Sequence, residues 1–117
     1  MENAEKTVGL KGLDAYRNAL EVYRAAVCAT RRLPKGHVVD QLLRAAESVA
    51  LNVAEAHPAT GVDRARRFRI AADEASECTA ALDLLEIRGA LAADELAGLR
   101  LLLDRECAML FRLGRRR

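Results

Sequence analysis

Four stretches of this 117-residue chain repeat apolar residues at alternating steps of three and four, and proline or glycine separates them. That period places one apolar stripe along one face of an α-helix, so each stretch must bury its stripe against a neighbour. In the first stretch the stripe is Leu13, Tyr16, Leu20, Tyr23, Val27 and Thr30, predicting a helix from an N-cap at Asp14 to about Arg32. Leu33-Pro34-Lys35-Gly36 stops it, because proline cannot continue the hydrogen-bond ladder and glycine turns the chain. The second helix is predicted over Val38 to Ala56, with Val39, Leu42, Ala46, Val49 and Val53 on one face and Ala45, Ala50 and Ala54 widening it. His57-Pro58-Ala59 ends it, and Thr60-x-x-Asp63 reads as a capping-box-like start for a third helix ending near Gly89. Its stripe is Phe68, Ala71 or Ala72, Ala75, Cys78, Leu82 and Leu85. The fourth, capped at Asp94 and running to about Leu113, carries Leu96, Leu99, Leu103, Glu106, Leu110 and Leu113. Gly98 lies early in it, where glycine costs about 1 kcal/mol relative to alanine.

Composition agrees with this reading. The apolar residues are mainly Ala, Leu and Val, and the aromatics are only Tyr16, Tyr23, Phe68 and Phe111. Strand-favouring residues are therefore scarce. The predicted fold is all-α, an antiparallel up-down-up-down four-helix bundle, because short connections favour neighbouring helices of opposite direction. The expected organisation is a flexible segment at 1–12, the bundle at 13–114 and a basic tail at 115–117.

Several functional classes are set aside by the same residues. No apolar run approaches the roughly 20 residues that span a bilayer, and the polar opening with Glu2, Glu5, Lys6 and Lys11 lacks the apolar core of a secretory signal. Cys28, Cys78 and Cys107 are odd in number and widely spaced, which fits reduced thiols and a cytoplasmic location, not a disulfide framework or a zinc site. A carboxylate di-metal centre needs Glu-x-x-His pairs, and neither His37 nor His57 follows a Glu by three. Arg32 and His37 have the spacing of an Arg–His pair in some helical ribonucleases, but Pro34 and Gly36 place a turn between them. No phosphate-cradling glycine loop or nucleophile elbow occurs. The expectation is a protein without catalytic residues, metal or cofactor.

The arginines are more informative. Arg64, Arg66, Arg67 and Arg69 occupy the first turns of the third helix, where the helix dipole disfavours cations. In an up-down bundle that end also receives Arg112, Arg115, Arg116 and Arg117 from the fourth helix. An anion is expected there: nucleic-acid phosphate, a partner's acidic surface, or a neighbouring copy's 71–104 stretch, which holds eight acids and two arginines. A solvated charged surface is the simpler alternative. With no base-stacking aromatics expected near the arginines, sequence-specific recognition of single strands is not expected, and backbone-phosphate contact stays open.

On the second helix Arg44, Ser48, Asn52 and Glu55 recur at steps of four, four and three and share one face. Asn52 and Glu55 are spaced for side-chain contact, and the set reads as a structural hydrogen-bond network. The sixteen residues Gln41-Leu42-Leu43-Arg44-Ala45-Ala46-Glu47-Ser48-Val49-Ala50-Leu51-Asn52-Val53-Ala54-Glu55-Ala56 resemble the pattern Q-[IL]-x-R-A-x-x-S-[IV]-x-x-N-[IV]-A-E-G. That pattern marks a bacterial four-helix-bundle family of ribosomal RNA intervening-sequence proteins and accessory variability proteins of diversity-generating retroelements. Leu13 to Val27 resembles the family's first helix, Leu33-Pro34-Lys35 its Phe-Pro-Lys turn, and Ile70-Ala71, Ser76-Glu77 and Leu82 its third helix. The chain departs from it at Ala56, which replaces glycine, at the loop His57-Pro58-Ala59-Thr60, and at Arg67, near which an aromatic is usual. The resemblance implies a homopentameric ring and, in the retroelement branch, binding to a reverse transcriptase and to RNA or DNA. The expected function is thus an oligomeric scaffold or adaptor for nucleic acid or a nucleic-acid enzyme. The alternatives are a purely structural oligomer and a ribonuclease using Arg32 and His37.

Overall fold

The computed structural model describes residues 13–115. Helices α1 (Asp14–Thr30), α2 (His37–Ala56), α3 (Gly61–Ile87) and α4 (Ala93–Arg115) account for the architecture, and no strand occurs among the described residues. Each helix packs on its sequence neighbours and α1 closes against α4, giving an antiparallel four-helix bundle. Side-chain contacts fix its two ends. Arg32, just past α1, reaches Glu95 at the start of α4, whereas Arg69 near the start of α3 reaches the Gly114 carbonyl at the end of α4. The expected segment at 1–12 and the tail residues Arg116 and Arg117 lie outside the described residues, while Arg115 is still helical.

The core holds Leu42, Val49, Val53, Phe68, Leu82, Leu85, Leu99, Leu103 and Leu110, all fully buried. The stripes of α2, α3 and α4 face it as their periods require. In α1 the inward face is mainly Ala15, Ala19, Val22, Ala26 and Ala29, one track beside the predicted stripe, of which Thr30 is buried and Leu13, Tyr16 and Leu20 pack partly buried against the core. Small side chains let α1 approach closely, and its larger apolar residues Tyr16, Leu20, Tyr23 and Val27 line the bundle's flank, Tyr23 being 37% exposed.

The helix ends show which local signals operate. Leu13, not Asp14, precedes the first turn of α1, and Asp14 pairs with Arg17. Thr60 does precede α3, but its hydroxyl makes no capping bond and Asp63 turns to Arg66 and Arg67. At α4 the half of a capping box that forms uses Glu95, whose Oε1 accepts from the Ala92 N–H at 3.3 Å. α3 ends in a Schellman motif: Gly89 N–H donates to Glu86 O and Ala90 N–H to Leu85 O, with Gly89 at φ +65°. Gly98, by contrast, is exposed, and a Cβ there would meet nothing within 4 Å. Gly98→Ala is therefore expected to stabilise the fold by about 0.5–1 kcal/mol, read as a higher denaturant midpoint at unchanged m value.

Candidate nucleic-acid interface

The antiparallel packing brings Arg64, Arg66, Arg67 and Arg69 to the same end of the bundle as Arg112 and Arg115. This end also holds the start of α1, with Asp14 and Arg17, and the end of α2, with Glu55 and His57. Among the described residues, seven arginines therefore share this pole with three carboxylates, those of Asp14, Glu55 and Asp63.

The arginines are not equivalent. Arg67 donates to Glu55 Oε1 at 2.8 Å and to Asp63 Oδ2 at 3.2 Å, so it ties the end of α2 to the start of α3. Arg66 reaches Asp63 Oδ1 at 3.3 Å. The hydrogen bond from Arg67, with Arg66 behind it, holds the Asp63 carboxyl below its ordinary range. Arg69 donates to the Gly114 carbonyl at 2.9 Å, placing its cation at the negative end of the α4 dipole. A side chain at 114 would crowd it, since a Cβ there would lie 2.9 Å from Arg69 Cγ. Much of the anionic partner expected for this cluster is thus internal: Glu55, Asp63 and the α4 carboxyl end offset the unfavourable α3 dipole.

Arg64, Arg112 and Arg115 complete the pole without a carboxylate partner among the described residues. Arg64 lies over the buried Phe68 ring at 4.8 Å and Arg115 over the exposed Phe111 ring at 5.1 Å. Cation–π stacking leaves the guanidinium edges free to donate. These three are the groups of the cluster with most capacity for an added anion. The stacking rings are the signal that sequence reading missed, although Arg64-x-x-x-Phe68 and Phe111-x-x-x-Arg115 are spaced one helical turn apart.

The α2 stripe lies along the α2–α3 edge and is only partly a network. Asn52 Nδ2 donates to Ser48 O at 2.9 Å and to Ser48 Oγ at 3.1 Å. Arg44 reaches Gln41, and Glu55 goes to Arg67 and not to Asn52. At the opposite pole Arg32 forms a fork on Glu95, with contacts of 2.8 and 3.4 Å, while exposed His37 opens α2. The structure therefore engages Arg32 with a carboxylate instead of pairing it with His37. No helix among the described residues is long and apolar enough to cross a membrane.

Residues 11–112 match the family described as 23S rRNA-intervening sequence protein. The fold is similar to a crystal structure of a protein of unknown function from the S23 ribosomal protein family of Bacteroides thetaiotaomicron VPI-5482. The two are 20% identical with a TM-score of 0.79, over 87% of this chain and 99% of that one. No curated protein matches the chain.

Proposed function

The chain belongs to the 23S rRNA-intervening sequence protein family, and from that premise we propose that it is a non-catalytic oligomeric scaffold whose arginine pole binds nucleic acid or a nucleic-acid enzyme. The observation that carries this reading is the pole itself. Arg64, Arg112 and Arg115 are positive groups with no carboxylate partner among the described residues, at one end of the bundle. Three guanidinium groups fit backbone phosphate, which needs charge and donors but no base-specific geometry. A reverse transcriptase, the partner in one branch of the resembling family, would bring such phosphate with it.

Assembly as a homopentamer is part of the proposal. The flank of α1 supports self-association: Leu20, Tyr23 and Val27 line an open groove with Arg24, Cys28 and Arg31. Exposed apolar strips of this kind mark association surfaces. Light scattering is expected to give a mass of several chains at micromolar concentration, and a single-chain mass would reject the oligomer. Gel-shift titrations of RNA and DNA are expected to show binding at low salt that weakens steeply as salt rises. Absence of any shift at low salt leaves the structural oligomer as the better reading.

A further inference from the structure

One carboxyl group in this bundle lies in the core. Glu106 is fully buried on α4, between Leu103 and Leu110 on the inward face. Its Oε1 accepts from Asn18 Nδ2 at 2.8 Å, and the same amide donates to the Leu102 carbonyl at 2.9 Å. A single α1 side chain thereby clamps α1 to α4. Glu106 Oε2 is buried with no hydrogen-bond partner. Open surface grooves border α1 and α4 outside it, one lined by Asn18 and Met109 and the other by Ala25, Gly98 and Leu102, and Glu106 lines neither.

We infer that Glu106 is a proton-operated latch on α1: protonated, it leaves the α1–α4 seam closed, and on losing its proton it makes opening of α1 from α4, which lets the carboxylate reach water, more frequent. A buried carboxylate needs a cation or several donors, and this one has a single amide. No charge facing it supplies the rest. From α1, Asp14, Arg17, Glu21 and Arg24 line the outer groove and are not bonded to it. From α3 the buried titratable group is Cys78, whose thiol burial pushes up to about 12. The buried residues of α2 include nothing titratable. Neighbouring Cys107 is likewise raised, mainly by burial, and stays neutral. Burial lifts the Glu106 carboxyl to about 7, with the Asn18 bond opposing only part of the effect.

The direction of the linkage follows. Because the folded value lies above the ordinary one, closure of α1 is most favoured below about pH 4.5. It weakens as pH rises towards 7, then levels off. The corresponding opening constant rises roughly fifty- to hundredfold between pH 5 and 8.5. Two measurements on the full chain test this. Carboxyl carbon NMR is expected to show Glu106 titrating near neutrality. Amide hydrogen exchange, corrected for intrinsic rates, is expected to show α1 protection falling over that interval by roughly this factor, while α2 and α3 hold theirs. In Glu106→Gln, which keeps the shape but cannot ionise, α1 protection should be flat with pH. The latch is overturned if Glu106 titrates in the ordinary carboxylate range, or if wild type and Glu106→Gln lose α1 protection alike. The carboxyl titration decides the matter even if the variant fails to fold.

Discussion

Phe68→Ala is expected to lower the free energy of unfolding by about 3–5 kcal/mol, the largest loss for any single core truncation in this chain. Phe68 heads the fully buried side chains by volume. Its own helix contributes mainly small inward residues nearby, Ala65, Ala71 and Ala75, and the buried face of α2 intersperses Ala45, Ala46, Ala50 and Ala56 with Leu42, Val49 and Val53. Alanines have no rotamers with which to refill a vacated space, so most of the cavity would persist. The substitution also removes the ring beneath Arg64, which sits 4.8 Å from its centroid. Against a total of about 5–15 kcal/mol for a domain of this size, the loss is a large share of the stability. Equilibrium denaturation should show a lower midpoint at unchanged slope, and a loss under 1 kcal/mol would contradict the packing described for α3.

The helices were legible because each stripe and each break has a direct mechanical meaning. Pro34, Pro58 and Gly89 stand where the ladder stops, and the predicted ends differ from the observed ones by about two residues or fewer. What could not be read was the rotation of α1. Tyr16, Leu20, Tyr23 and Val27 form one apolar track, and Ala15, Ala19, Val22 and Ala26 form another one residue away. Both have the same period, and close packing selects the smaller residues for the inside. Caps failed for a different reason: Asp63 is close in sequence to Arg66 and Arg67, and ion pairs claim it before the backbone does. The convergence of the arginines at one end followed from antiparallel topology, but their neutralisation by Glu55 and by the Gly114 carbonyl joins residues 12 and 45 positions apart. Such pairings leave no periodic trace. Glu106 did leave one, since it interrupts the apolar track of α4 at a position that must face inward.

Removing Arg64, Arg112 and Arg115 should weaken nucleic-acid binding far more than removing Arg66 and Arg67, whose charges are already paired with carboxylates. Replacing Arg64, Arg112 and Arg115 together with glutamine deletes up to three phosphate-binding groups. Each such group removed should lower the slope of log affinity against log salt by about 0.7–0.9, so the total change is roughly 2–3. At about 50 mM salt that corresponds to a loss on the order of a hundredfold or more in affinity. Arg66 and Arg67 behave differently because binding a phosphate would require them to leave Asp63 and Glu55, which already satisfy their charge. Their double replacement should change the salt slope little. It should instead cost stability where α2 meets α3, and modestly, because these pairs are solvent-exposed. Paired titrations of both variants over a range of salt separate the two roles. Equal slopes for the triple variant and the wild type would show that the unpaired guanidinium groups do not touch phosphate, and the anion site would then have to lie elsewhere on the bundle.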